Sequence, residues 1–147
     1  MRRLYPNFVG GRVAMALLLV RLVMGAAFIL HGWPKIQNPF GWMNAMGGSS
    51  IPSWLQGMAA FAEFGGGIAL ILGLLTPIAA FGLVCQMVAA LLIVHLPNRD
   101  PFVASAPGQS SYELALVYLV VAISLIALGP GKFSVDAVIF GRQSTQK

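Results

Sequence analysis

Hydrophobic residues lie along this chain in four long blocks, separated by short polar stretches. The blocks are roughly Val13–Gly32, Trp54–Leu75, Ile78–Leu96 and Tyr112–Leu128. A helix needs about 20 residues to cross the hydrocarbon core of a membrane, which is about 30 Å thick. The pattern therefore predicts an all-α protein, a transmembrane four-helix bundle with antiparallel neighbours that forms a single membrane domain over residues 1–147.

The polar stretches indicate how the helices are connected. They are rich in Gly, Pro, Asn and Ser, which is typical of loops. Thr76 and Pro77 form the shortest break, so we expect the second and third helices to make a tight antiparallel hairpin. Arg2 and Arg3 precede the first block as they would in a signal peptide, but no small-x-small cleavage site follows. We therefore interpret the first block as a retained helix.

The basic residues predict the orientation in the membrane. Six of them fall on one side of the predicted bundle, namely Arg2, Arg3, Arg12, Lys132, Arg142 and Lys147. Only Lys35 and Arg99 fall on the other side. Because cytoplasmic segments carry the excess of Lys and Arg, we expect both termini to be cytoplasmic, with tails at 1–12 and 132–147. The loops 33–53 and 97–111 would then face outward.

The composition supports a membrane protein and excludes several other classes. Apolar residues make up 58% of the chain and charged residues 9%, against about 25% charged in ordinary globular proteins. The net charge of +5 is spread thinly, so the predicted partner is the lipid bilayer and not nucleic acid. The single cysteine, Cys85, excludes an intramolecular disulfide, and we interpret it as a small buried hydrophobe.

Two opposite charges lie deep within the predicted spans. Arg21 is about ten residues from the outer end of the first span, and Glu63 is about ten residues from the outer start of the second. A charge at the centre of a bilayer costs about 2.5–3.5 kcal/mol or more. The small residues beside each charge, such as Gly25 and Gly67, would let the two helices approach closely. We therefore predict a buried Arg21–Glu63 ion pair, which is either purely structural or also lines a functional pocket.

A second polar group is predicted near the outer ends of the helices. It contains His31, Lys35, His95 and Glu113, which are candidates for ligand binding or proton handling. The alternative is that they are ordinary interfacial residues near water. Gln86 lies about level with Glu63, but it is half a turn out of phase with His95, so both can face one cavity only if the third helix tilts or distorts.

The remaining sequence signals are weaker. Aromatic residues near the outer ends of the spans are typical of an interfacial belt, and they are Trp33, Phe40, Trp42, Trp54 and Phe102. The chain has no GxGxxG, Walker, HExxH or GxSxG motif, and its residues do not predict a metal site. The sequence therefore does not assign a catalytic residue.

Several segments together resemble the DoxX family of small bacterial four-helix integral membrane proteins. They are "LLLVRLVMGAAFILHGWPKI", "FAEFGGGIALILGLLTPIAAFG", "VHLPN" and "YELALVYLVVAISLIALGPGKFSVD". The resemblance covers about residues 13–140 and implies a multi-pass protein of the bacterial inner membrane. It also implies a link to quinone-linked redox systems, although the family has no agreed catalytic residues to transfer.

Three functions are compatible with these observations. The first is a subunit or accessory of a quinone-linked redox system, with a quinone as the candidate cofactor and a redox protein or a second copy as partner. The second is a non-catalytic membrane scaffold or lipophile-binding protein. The third is a small-molecule transporter. The sequence leaves open whether the protein is an enzyme.

Overall fold

The computed structural model describes Tyr5 and residues 8–44 and 51–141, and within these ranges it contains helices and loops but no strand. The helices are α1 (Gly11–Ile36), α2 (Ser53–Leu72), α3 (Thr76–Asn98), α4 (Glu113–Leu128) and the short α5 (Val135–Phe140). Three of them, α1 to α3, are long and apolar enough to cross a membrane, and α4 is a shorter apolar helix of 16 residues. The predicted all-α membrane bundle is confirmed.

Each long helix packs mainly against its neighbours in sequence. Helix α1 lies against α2, α2 against α3, and α3 against α4, whereas α1 and α4 touch only sparsely. Leu17, Phe28, Leu70, Leu83 and Leu125 form the centre of the buried core. The outward faces carry many large exposed apolar side chains, as expected for helices surrounded by lipid.

Glycines bring α1 and α2 into close contact. A Cβ atom added to Gly67 would lie 2.7 Å from the carbonyl oxygen of Gly25, and one on Gly32 would lie 2.7 Å from the backbone nitrogen of Phe64. Such contacts exist only where both backbones approach closely, as the small residues predicted. They also fix the register, because Gly25 faces Gly67 and Gly32 faces Phe64.

The predicted hairpin between α2 and α3 is confirmed. Gly73 ends α2 in the left-handed conformation with φ 64°. The Leu74 amide donates to the Ala69 carbonyl at 2.9 Å and the Gly73 amide donates to the Leu70 carbonyl at 3.1 Å. This is the Schellman arrangement, which satisfies the last carbonyls of a helix. The chain then reverses within three residues and begins α3 at Thr76.

A buried acid from the C-terminal segment holds the start of α3. Asp136 accepts hydrogen bonds from the amides of Leu75 at 2.7 Å and Thr76 at 2.9 Å, and from the Tyr5 hydroxyl at 3.2 Å. Burial and the nearby Asp136 carboxylate raise the pKa of Tyr5 to about 12, which keeps the phenol protonated as a donor. The part of the chain around α5, expected as a tail, therefore packs against the bundle.

We name the two ends of the bundle the termini end and the loop end, after the segments that lie at each. The termini end holds the start of α1, the α2–α3 hairpin and α5, and the loop end holds the connections after α1 and after α3. Arg12 and Lys132 lie at the termini end, and Lys35 and Arg99 lie at the loop end. Four other residues used for the orientation lie outside the described part of the chain, namely Arg2, Arg3, Arg142 and Lys147. The cytoplasmic placement of the termini stays a prediction.

Candidate functional site

Arg21 lies at the termini end and does not pair with Glu63. Its side chain is fully buried, and its Nη2 donates to the carbonyl oxygen of Phe133. Its guanidinium lies directly on Gly73, where an added Cβ would be 1.8 Å from Nη1. The Asp136 carboxylate is near enough to act on its charge. We call Arg21, Gly73, Phe133 and Asp136 the termini-end junction.

The predicted Arg21–Glu63 ion pair is therefore wrong, and the helix register gives the reason. Arg21 faces Gly73, which is ten residues beyond Glu63 on α2 and so about 15 Å away along the helix. The prediction placed Gly32 level with Trp54 at the start of the second span, but Gly32 lies against Phe64, ten residues farther along α2. This offset between α1 and α2 separates Arg21 from the level of Glu63.

Glu63 instead pairs with Lys35 near the end of α1 and with Gln86 of α3. The Lys35 Nζ lies 2.5 Å from the Glu63 Oε1, and the Gln86 Nε2 donates to the same oxygen at 2.9 Å. The Glu63 side chain is 3% exposed and that of Lys35 is 18% exposed. The Lys35 Nζ also lies 4.6 Å from the centre of the Trp42 ring, within the range of a cation–π contact. We call Lys35, Trp42, Glu63 and Gln86 the loop-end site.

The segment after α1 folds over the first half of α2 and covers this site. Buried Gln56 accepts from the Met43 amide at 3.0 Å through its side chain, and its backbone carbonyl accepts from the Trp42 indole at 3.0 Å. The Gln56 amide group donates to the Ile51 carbonyl, also at 3.0 Å. The Phe40 ring lies against Gly57, where an added Cβ would be 2.5 Å away. Gln56 thus fixes Trp42 above Lys35.

Sequence reasoning missed the roles of Trp42 and Gln56. The sequence predicts Trp42 to be one of the interfacial aromatic residues, and it shows Gln56 only as a polar residue near the start of an apolar helix. A buried amide on a membrane helix requires hydrogen-bond partners, which was the available indication that a loop folds back onto α2.

The loop-end site contains a polar atom without a partner. Glu63 Oε2 is buried and has no hydrogen bond among the described residues. An ionised carboxylate only accepts hydrogen bonds, so this oxygen is suited to a hydroxyl or amide group of a ligand. Within the same ranges no group of three or more His, Cys, Asp or Glu could hold a metal ion.

The other candidate residues are distributed over separate places. His95 Nδ1 lies 2.8 Å from Asp100 Oδ2. The His95 side chain also lines a groove of about 510 Å³, and neither His31 nor Glu113 lines that groove. His31 is exposed, with its ring edge towards Tyr118, and Glu113 is exposed in the first turn of α4. Of the four candidates, the structure brings only Lys35 to Glu63, and ligand binding by the other three stays a prediction.

Helix α3 is distorted near its end. A distortion is one of the changes that could turn Gln86 and His95 towards one cavity. Its Ala90–His95 part is π-helical. A π turn holds one residue more than an α turn, which reduces the angle between Gln86 and His95 from about half a turn to about a quarter. Gln86 nevertheless points to Glu63, and His95 points to Asp100. Cys85 is exposed, so its interpretation as a buried residue is wrong.

Comparison with known proteins identifies a family to which this chain is similar. The model of the DoxX family matches residues 16–96, which is more than half of the chain. The chain is 27% identical over 125 residues to the "Inner membrane protein YqjF" of Escherichia coli (strain K12), covering 85% of this chain and 92% of that protein. No solved structure gives a significant match.

Alignments with two further relatives cover a similar share of this chain and of each relative. The "Putative oxidoreductase CatD" of Bacillus subtilis (strain 168) is 28% identical over 123 residues, covering 84% of this chain and 86% of that protein. An "Uncharacterized protein" of Haemophilus influenzae (strain ATCC 51907 / DSM 11121 / KW20 / Rd) is 32% identical over 125 residues, covering 84% of this chain and 90% of that protein. The chain therefore belongs to the DoxX family and is a multi-pass protein of the bacterial inner membrane.

Proposed function

We propose that this protein binds a small lipophilic carbonyl or hydroxyl compound of the quinone type at the loop-end site, as a component of a membrane redox system. The observation that carries the proposal is the buried, unpartnered Oε2 of Glu63 beside the Lys35 ammonium. A buried acceptor without a donor costs about 1–3 kcal/mol. A ligand hydroxyl in this position would remove that cost.

The neighbouring side chains fit the two forms of such a ligand. Glu63 accepts from a hydroxyl of the reduced form, and the Lys35 ammonium donates to a carbonyl of the oxidised form. Trp42 offers an aromatic face next to the ammonium. The partial exposure of Lys35 gives a route for the ligand from the loop end.

The name of one relative supports the redox part of the proposal. That relative is the "Putative oxidoreductase CatD" of Bacillus subtilis (strain 168). In this proposal the ligand itself carries the electrons, and a redox protein partner or a second copy of the chain exchanges them with it. When the reduced ligand is oxidised, the Glu63 carboxylate would accept the proton of the ligand hydroxyl that is bound to it.

Binding of a quinone analogue to the purified protein tests the proposal. Quenching of tryptophan fluorescence in detergent measures the affinity, and calorimetry gives an independent value. We expect Glu63→Gln and Lys35→Met each to weaken binding by about tenfold, the factor that corresponds to one lost charge-assisted hydrogen bond of about 1.4 kcal/mol. Cys85→Ser serves as the control, because Cys85 does not belong to the loop-end site, and this variant should bind as the wild type does.

Equal affinity in the wild type and in both loop-end variants would contradict the proposal. It would favour the second function, a non-catalytic scaffold in which Lys35, Glu63 and Gln86 only hold three helices together. The observation that favours this alternative is that Lys35 and Gln86 both donate to Oε1 of Glu63 and so already connect three helices.

A further inference from the structure

A groove at the end of α3 lies apart from the loop-end site. Its apolar wall is formed by Leu91, Leu92 and Leu96, and Tyr112 borders it from the start of α4. Leu92 is 59% exposed and Leu96 is 67% exposed. The volume of about 510 Å³ lies within the usual range of ligand pockets, about 300–1,000 Å³. The wall is thus open to the acyl chains of the surrounding lipid.

The rim of the groove carries two opposite charges side by side. Arg99 and Asp100 both line it. The Arg99 side chain is exposed and makes no hydrogen bond or ion pair with the part of the chain that the structure describes. Asp100 is held in place by His95, through the contact of 2.8 Å between Nδ1 and Oδ2. The groove therefore presents a free cation and a fixed carboxylate to one ligand.

The backbone keeps Arg99 in a position where glycine would be the ordinary residue. The Asp100 amide donates to the His95 carbonyl at 3.1 Å, and the Arg99 amide donates to the Leu96 carbonyl at 3.2 Å. These bonds end α3 in a Schellman arrangement with Arg99 left-handed at φ 54°. An arginine is strained there and a glycine is not. The termination of the helix consequently does not explain the arginine side chain.

The depth of the groove matches the headgroup region of a membrane. It occupies the last turns of a helix that is long enough to span the bilayer. Tyr112 stacks at a tilt against Phe102, with 5.4 Å between the ring centres. Tyrosine and other aromatic rings are enriched at the level of lipid headgroups. A ligand with acyl chains on the leucine wall would therefore place its headgroup at Arg99 and Asp100.

We infer that this groove binds a membrane phospholipid whose headgroup carries both a phosphate and a primary ammonium. The phosphate lies at Arg99, the ammonium at Asp100, and one acyl chain lies along Leu91, Leu92 and Leu96. A lipid with a phosphate alone leaves the Asp100 carboxylate facing an anion. A lipid with a quaternary ammonium cannot donate a hydrogen bond to that carboxylate. The charge pair thus selects the aminophospholipid.

Native mass spectrometry of the detergent-purified protein tests this inference. Phosphatidylethanolamine, phosphatidylglycerol and phosphatidylcholine are added in turn, and the fraction of lipid-bound protein is measured. We expect the wild type to prefer phosphatidylethanolamine. Arg99→Gly should lower its binding by about fivefold, the effect of one cation near a lipid surface, while the protein stays at least as stable because the left-handed strain is removed. Asp100→Asn should abolish the preference over phosphatidylglycerol.

Arg12→Gln is the matched control, since Arg12 is an exposed cation at the opposite end of the bundle. It should bind all three lipids as the wild type does. Equal binding of the three lipids by the wild type would overturn the inference, and so would unchanged binding in Arg99→Gly. Glu63→Gln should keep the lipid preference, so a failed quinone experiment and a failed lipid experiment remain distinguishable.

Discussion

The two ends of the bundle bury charge in different ways. At the termini end, Arg21 donates to a backbone carbonyl, and Asp136 accepts from two backbone amides and one tyrosine. At the loop-end site, the flexible side chains of Lys35 and Gln86 both donate to the Glu63 carboxylate. Backbone partners cannot change without changing the fold, whereas side-chain partners can exchange for a ligand. The termini-end junction is therefore a structural element, and the loop-end site is the adaptable one.

Both the termini-end junction and the loop-end site contain buried polar atoms without hydrogen bonds, so the packing around these atoms has to distinguish the two. Arg21 Nε and Nη1 lack hydrogen bonds among the described residues, as does Oε2 of Glu63. The Arg21 guanidinium is pressed against Gly73, so a ligand could not enter without moving the hairpin. Glu63 lies beneath a loop and beside a partly exposed lysine. An unpartnered atom indicates a binding site only where the surrounding structure leaves room.

The largest effect is expected from Gly73→Ala at the termini end. The new Cβ would lie 1.8 Å from Arg21 Nη1 and 2.5 Å from the Ser134 Cβ, at a φ of +64°. We expect destabilisation on the order of 4 kcal/mol, combining backbone strain with displacement of a buried cation. Thermal unfolding in detergent measures it. Gly65→Ala is the control, because its Cβ would meet nothing within 4 Å. A similar loss of stability in both variants would contradict the structural role that we assign to the termini-end junction.

Asp136→Asn should have the next largest effect. The amide group replaces one acceptor oxygen by a donor, which leaves one α3 amide without a partner and removes the negative charge near Arg21. We expect a loss of about 3 kcal/mol, measured in the same unfolding experiment. Glu113→Gln is the comparison, since this acid is exposed and should cost only a few tenths of a kcal/mol. Similar losses of stability in the two variants would show that Asp136 contributes no more to the fold than an exposed acid does.

The loop-end ion pair should contribute less. Glu63→Gln and Lys35→Met should show a coupling of about 1 kcal/mol in a double-mutant cycle, because Lys35 can move towards water when its partner is lost. Glu63→Gln combined with Arg21→Lys should be additive within about 0.5 kcal/mol, since these two residues lie about 15 Å apart along the helix axis. Coupling of Glu63 to Arg21 and not to Lys35 would contradict the described pairing.

A topology reporter should leave stability unchanged and show which membrane face holds each site. Since most Lys and Arg residues lie near the two ends of the sequence, a reporter active only in the periplasm should be silent when it is fused after Lys147. The same reporter inserted after Gly108, at an exposed turn of the loop between α3 and α4, should be active. The reverse pattern would place the loop-end site on the cytoplasmic side.

The sequence by itself determined the class of the fold, the four helices and the hairpin between α2 and α3. Hydrophobic blocks of membrane-spanning length leave a helix as the only local structure that satisfies the backbone in lipid. The glycines of α1 and α2 also indicated correctly where the two backbones approach. These features depend on neighbouring residues in sequence, so a pattern of residue types is enough to find them.

Only the tertiary structure decided which charges meet. Arg21 and Glu63 have suitable chemistry for a pair, but Gly32 packs against Phe64 and not against the start of α2, which separates the two charges by about 15 Å along the helices. The partner of Arg21 comes from the segment after α4, and the covering of Lys35 comes from a loop held by Gln56. Contacts between distant segments depend on register and on loop paths, because side-chain hydrogen bonds form only within about 3 Å. Hydropathy does not contain that information.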